Sequence, residues 1–129
     1  MSSEELVAVY GTLLRGFENH ERAGMGEFTF RGECVIPGQL YDLGPYPGLK
    51  FDDEGEVGGE LYAVPPDALT RLDRFEGATG PDPLYVRRAR QLLDPSVEAW
   101  VYEYAGDVEE TNRVESGDWR VYTGRGSDR

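Results

Sequence analysis

The stretch Val7-Ala8-Val9-Tyr10-Gly11-Thr12-Leu13-Leu14-Arg15-Gly16 constrains the chain more than any other. A short continuous apolar run reads as a buried strand. This one, Leu6–Tyr10, stops at a loop bracketed by two glycines. Such a turn can aim backbone N–H groups at a bound anion or carbonyl, and glycine at position 11 lets a ligand reach the main chain without meeting a Cβ. The same letters also spell an ordinary strand and turn, since single glycines commonly punctuate loops. The loop is neither a Walker A motif nor a dinucleotide fingerprint: it lacks the Gly-Lys-Ser/Thr ending and the third glycine, so nucleotide binding is not supported.

Most of the remaining chain is strand grammar. Phe28–Ile36 alternates, Pro37-Gly38 bends the chain, and Gln39–Leu43 continues as a strand. Gly44-Pro45-Tyr46-Pro47-Gly48 reads as a rigid loop outside any sheet, because proline fixes φ and removes a donor. Leu49–Phe51 is a short strand closed by an acidic turn, Asp52–Gly55, and Glu56–Val64 is the next strand. Its Gly58-Gly59 pair marks a bulge or a close backbone approach. Leu84–Leu93 and Val97–Tyr104 form a hairpin around Asp94-Pro95-Ser96. Two stretches read as helical. Asn19 can cap a short turn that Gly24 ends. Pro65–Gly77 is the clearer helix, with Pro66 in the first turn, Leu69, Leu72 and Phe75 as an apolar stripe, and Gly77 as the cap. Short strands carrying internal glycines point to a curved sheet or small barrel.

The 129 residues fit a single domain, 1–129, with no linker inside it. Segment 106–129 is a polar tail. Trp119 and Tyr122 within Glu115–Tyr122 are expected to dock part of it on the domain, with Gly124–Arg129 frayed.

The formal net charge is −12, and Lys50 is the only lysine among 13 basic residues. That field argues against nucleic acid and against an anionic membrane surface as partners. The acidic opening Met1-Ser2-Ser3-Glu4-Glu5 is unlike a secretory leader, and no apolar run approaches the roughly 20 residues of a membrane span. The expected location is the cytoplasm, and lysine depletion suggests adaptation to high salt, where self-repulsion is screened. One cysteine, Cys34, excludes an intrachain disulfide and is expected to pack as a small hydrophobe. With one histidine and no metal-ligand spacing, no metal site is expected. A serine triad would need His20 and has no G-x-S-x-G elbow. His20 reads instead as a surface or loop-anchoring residue.

Glu76 is the reactive candidate that the residues alone single out. It comes four residues after Leu72 and so shares the apolar face of its helix. It also sits where the helix dipole disfavours negative charge. Desolvation and dipole both raise a carboxyl pKa, and a carboxyl titrating near neutrality can both take and give a proton. The competing reading is a solvated helix-end glutamate paired with Arg74 or Arg87. Tyr85, Trp100, Tyr102 and Tyr104 either line an amphipathic pocket or serve as core; Tyr85, close in sequence to the Glu76 loop, is taken as a candidate substrate contact.

Together, Tyr10-Gly11-Thr12-Leu13 with Gly16, Asn19-His20, Leu72-Asp73-Arg74-Phe75-Glu76-Gly77 and Tyr85-Val86-Arg87-Arg88 resemble the γ-glutamylcyclotransferase-like family. The likeness is nearer to its small members, the γ-glutamylamine cyclotransferase and AIG2-like proteins. It runs from about Leu6 to Tyr104, with Gly38–Asp42, Tyr46-Pro47 and Gly59–Tyr62 resembling the family's strand signatures. The resemblance implies an α+β fold: a small mixed β-barrel flanked by short helices. It places the substrate's γ-glutamyl group on Tyr10, Gly11, Thr12 and Leu13 and the catalytic carboxyl on Glu76, with no metal or cofactor. The implied reaction cyclises a small-molecule γ-glutamyl amide to 5-oxoproline and releases the free amine or amino acid. The alternative is a non-catalytic ligand-binding or regulatory module using the same pocket. Loops Gly44–Gly48 and Ala78–Pro83 are expected to meet the leaving amine, and the acidic field favours a neutral or cationic one over glutathione. Arg15 stays open between pocket rim and solvated charge.

Overall fold

The computed structural model describes residues 4–124. The expected fraying of Gly124–Arg129 therefore lies, beyond Gly124, outside the described residues. Five strands form one mixed sheet in the order β2-β3-β1-β5-β4: β1 (Glu5–Val9), β2 (Thr29–Asp42), β3 (Pro47–Val64), β4 (Tyr85–Gln91) and β5 (Glu98–Tyr104). The opening apolar run becomes the central strand. β1 pairs antiparallel with β3 and parallel with β5, and Val7, Ala8 and Val9 are buried. A strand covered on both edges and both faces needs the continuous apolar run seen here. Gly59 lies beside it because a Cβ there would stand 2.4 Å from the Val9 carbonyl oxygen. The glycine pair marks a close approach of two backbones.

β2 and β3 are each longer than their sequence suggests. The bend at Pro37-Gly38 is a register shift inside one strand: Pro37 pairs with Glu56 while Gly38 pairs with Phe51. Residues 52–55 are the excess on β3. The expected acidic turn is thus an excursion within a single strand, tied by the Glu54 N–H to Asp52 Oδ1 at 2.9 Å. Gly44–Gly48 is also tighter than a free loop. Pro47 opens β3 opposite Asp42, the first-residue position where a strand tolerates proline.

The edge strands β2 and β4 are not joined by a ladder. Among the described residues the middle of β2 meets the turn after β4 through one bridge, Val35 with Asp94, in which the Val35 N–H donates to the Asp94 carbonyl at 2.7 Å. A turn rather than a strand meets β2, so the fold is a five-stranded mixed sheet with short helices, and the expected barrel is not closed by continuous pairing.

The helices are α1 (Glu18–Arg22), α2 (Ala68–Phe75) and α3 (Trp119–Thr123). Asn19 does not cap α1; Phe17 holds that position and Asn19 lies inside the helix. In α2, Leu72 is fully buried and Leu69 partly so, but Phe75 is 38 % exposed. Each i+3 step falls about 60° short of a full turn, so the second step carries Phe75 off the core face. α3 is capped by the Asp118 side chain, which accepts the Val121 N–H at 3.1 Å, and its Trp119 is buried. Cys34 is buried too, and desolvation pushes its thiol up to about 12. Among the described residues, no helix is long and apolar enough to cross a membrane.

Candidate active site

The segment leaving β1 folds into consecutive turns, with the Leu14 N–H donating to the Gly11 carbonyl at 3.0 Å and the Phe17 N–H to the Leu14 carbonyl at 3.2 Å. It is held from two sides. From α1, Asn19 Nδ2 donates to Thr12 Oγ1 at 3.2 Å, and His20 Nδ1 lies 2.8 Å from the Leu13 carbonyl oxygen. His20 therefore anchors the loop. From β3, the buried Glu60 grips Arg15: Oε1 accepts the Arg15 backbone N–H at 3.0 Å, and Oε2 accepts Arg15 Nε at 3.2 Å. The Tyr62 hydroxyl and Arg120 Nη2 complete its partners at 2.9 and 3.1 Å. Arg15 is thus neither pocket rim nor free charge; its guanidinium also lies 4.0 Å over the Phe30 ring. Burial alone would raise the Glu60 pKa, but these donors outweigh it and hold the carboxyl below its ordinary range.

So fixed, the loop forms one wall of a cavity of about 240 Å³. All six residues singled out from the sequence line it: Tyr10, Gly11, Thr12, Leu13, Glu76 and Tyr85. Among the described residues the Thr12 and Leu13 N–H groups donate to no protein acceptor. The fit around Gly11 is close, since a Cβ there would stand 2.6 Å from Pro47 Cγ.

Glu76 closes the C-terminal end of α2, its N–H donating to the Leu72 carbonyl at 2.9 Å. Burial pushes its carboxyl up to about 7. Neither arginine considered from the sequence pairs with it. Arg87 makes a two-pronged bond to Asp73 at 2.7 and 3.1 Å and lies 4.4 Å over the Trp100 ring. Asp73 also accepts the Tyr102 hydroxyl at 2.8 Å. Arg87 is therefore drawn to Asp73, and among the described residues Glu76 is the sole charged side chain lining the cavity.

The two tyrosines present rings more than hydroxyls. Tyr10 Oη donates to the Tyr102 carbonyl at 2.6 Å and accepts the Leu49 N–H at 3.2 Å. Tyr85 Oη donates to the Pro47 carbonyl at 2.6 Å. Burial raises both phenols, so they stay protonated. Tyr46, Pro47, Phe75, Leu84, Asn19 and Tyr102 also line the cavity. Of the two loops expected to meet a leaving amine, Gly44–Gly48 contributes Tyr46 and Pro47, and Ala78–Pro83 contributes nothing to this lining.

Comparison with known proteins gives a consistent result. The family profile described as γ-glutamyl cyclotransferase, AIG2-like, matches residues 7–121. A γ-glutamylcyclotransferase family protein of Citrobacter rodentium is 39% identical over 115 residues, covering 88% of this chain and 93% of its own. The crystal structure of an AIG2-like protein from Mus musculus superposes with a TM-score of 0.68 at 33% identity, over 83% of this chain and 81% of its own. The solution structure of the Escherichia coli protein YtfP gives 0.66 at 33% identity, over 88% and 95%.

Proposed function

Because the chain belongs to the γ-glutamyl cyclotransferase, AIG2-like family, we propose that its cavity cyclises a γ-glutamyl amide to 5-oxoproline and frees the amine. Such a substrate carries its own nucleophile. The α-amino nitrogen attacks the γ-carbonyl carbon and forms the ring C–N bond, and the bond to the departing amine then breaks. A correctly held intramolecular attack reaches effective molarities of about 10⁵ M or more. The protein's tasks reduce to folding the substrate, moving protons and holding the developing oxyanion. Two protons leave the nucleophilic nitrogen, one from the ammonium before attack and one from the ring nitrogen after it; Glu76 accepts as base and returns one to the leaving nitrogen as acid, the other passing to solvent, and a pKa near 7 suits both directions. The unspent N–H groups of Thr12 and Leu13 can hold the substrate carboxylate or the oxyanion. Tyr10, Gly11 and Tyr85 shape the γ-glutamyl pocket.

One observation supports this reading: a desolvated carboxyl, without an ion-pair partner among the described residues, lines the same small cavity as Thr12 and Leu13, whose backbone N–H groups donate to no protein acceptor among those residues. The test is a panel of γ-glutamyl amides assayed for 5-oxoproline. The expected result is turnover of at least one amide by the wild type and almost none by Glu76→Gln. Undiminished release by that variant overturns the assigned mechanism. No release across the panel favours a ligand-binding module.

A further inference from the structure

Two large apolar side chains are exposed where they line the candidate active site. Phe75 and Leu84 are each 38 % exposed, and both belong to the cavity wall that holds Glu76. Side chains that touch both a cavity and solvent stand at its mouth. Phe75 precedes Glu76 at the end of α2, off the core face of that helix. Leu84 comes from the segment before β4, and its N–H donates to the Gly77 carbonyl at 2.8 Å. Its side chain covers the turn after Glu76, for a Cβ on Gly77 would stand 3.4 Å from Leu84 Cβ. Glu76 therefore has one apolar residue before it and another over the residue after it. The polar groups around the cavity are engaged elsewhere. The Tyr10, Tyr85 and Tyr102 hydroxyls donate to the Tyr102 carbonyl, the Pro47 carbonyl and the Asp73 carboxylate, and Tyr46 packs its ring against Tyr85. Asn19 donates to Thr12. On α2 itself Asp73 is held by Arg87, and Arg74 is exposed. Among the described residues no side-chain donor and no cation accounts for the state of the Glu76 carboxyl, which burial alone sets.

We propose that Phe75 and Leu84 are positioning residues for Glu76: together they form an apolar lip that limits the water reaching its carboxyl and so keeps it able both to take and to give a proton. The proposal rests on the cyclotransferase reading of the cavity. A carboxylate open to water titrates in the ordinary carboxyl range. One behind a narrow apolar mouth is poorly solvated as an anion and keeps its proton to higher pH. With more than a third of each side chain exposed, Phe75 and Leu84 add little to the core. Replacing either by a smaller residue changes the wetting of Glu76 more than the packing of the domain.

The test follows the Glu76 carboxyl directly, by carbon-13 NMR titration of protein labelled in its glutamate side-chain carboxyls. The Glu76 signal is the one missing from Glu76→Gln. In the wild type it should titrate near pH 7. With Phe75→Ala and Leu84→Ala combined, the midpoint should fall by about one unit toward the ordinary range, each single change giving part of the fall. Phe75→Leu combined with Leu84→Met keeps the apolar cover and should keep the midpoint. A native-like double alanine variant that titrates as the wild type does overturns the proposal, and so does a conservative pair that lowers the midpoint as far as the alanines do. Should the double alanine variant not fold, the single variants decide by the same criterion. Under the cyclotransferase reading the acid limb of kcat/KM should move with the NMR midpoint, because Glu76 must be unprotonated to accept a proton. A limb that stays in place while the NMR midpoint falls overturns Glu76 as the base and upholds the lip. An amide panel without turnover overturns the cyclotransferase reading, and the NMR midpoints alone then decide the lip.

Discussion

Glu60 and Glu76 both face the loop after β1, and they end in opposite electrostatic states. Glu60 is the more deeply buried, at 1 % exposure, yet its carboxyl is held below the ordinary range because four donors converge on it. Glu76 is only partly buried, has no ion-pair partner among the described residues and is pushed up to about 7. Burial pushes both carboxyls up, and the supply of donors decides which one ends low. Arg15 and Arg120 converge on the glutamate that fixes the loop, while Asp73 draws Arg87 away from the glutamate that faces the cavity. One side of the loop is thus built for rigidity, and the other keeps a carboxyl able to exchange a proton.

The sharpest way to break this contrast is to remove each charge in turn. Under the proposed mechanism, Glu76→Gln should lower kcat by about 10²- to 10⁴-fold, the range for a lost general acid–base, with a far-ultraviolet spectrum like that of the wild type. Glu60→Gln should act on the fold instead. It leaves Arg15 and Arg120 facing a neutral group, and because both arginines reach solvent the loss should be about 2–4 kcal/mol, at or below the range for a broken buried pair. Urea denaturation measures it. If Glu60→Gln matched the wild type in stability but lost activity as Glu76→Gln does, the division of labour would be wrong.

A pH series sharpens the contrast further, because the two carboxyls should tilt stability in opposite directions. Glu76 has a folded pKa raised from 4.5 to about 7. The folded state then holds the proton more tightly, so its contribution is present below pH 4.5 and is lost as pH rises through 7. Relative to wild type, Glu76→Gln should gain about 1–3 kcal/mol at pH 8 compared with pH 4. Glu60 has a lowered folded pKa. Its contribution is present above about 4.5 and is lost as pH falls through the folded value, so the penalty of Glu60→Gln should fade in acid. Denaturation midpoints at pH 4, 6 and 8 separate the two; parallel curves for both variants would contradict the assignment.

The sequence makes the Glu76 side of this comparison readable and hides the other. Glu76 sits on a helix with a legible apolar face, so its desolvation can be read from spacing. That no described residue forms an ion pair with it cannot, because the Asp73–Arg87 bond spans α2 and β4. Glu60 stands at the head of the apolar run Leu61–Val64. A lone carboxylate there is a signal in itself, but its partners Arg15 and Arg120 lie 45 and 60 residues away. The central strand and its loop are legible because β1 is a continuous apolar run. The merging of Leu49–Phe51 and Glu56–Val64 into β3 is not, because local turn chemistry at Asp52–Gly55 is real and only the β2 register shows that pairing resumes beyond it. The joining of the sheet's edges by a turn is likewise a tertiary fact.

The smallest expected effect concerns the neutral clamp on the same loop. Asn19 donates to Thr12 Oγ1 at 3.2 Å, and both residues are partly exposed. Asn19→Ala therefore removes one uncharged hydrogen bond whose acceptor can turn to water, and the stability loss should be about 1 kcal/mol. The bond holds a residue that lines the cavity, so any functional loss should fall on KM more than on kcat. The salt response separates this clamp from the charged one. The penalty of Glu60→Gln arises from ion pairs that reach solvent through Arg15 and Arg120, so it should shrink as ionic strength rises. The penalty of Asn19→Ala has no charge in it and should stay constant. Urea midpoints for both variants at low and high salt make the comparison. A salt-sensitive Asn19→Ala would mean that α1 positions the loop through charge, and the contrast between the two clamps would collapse.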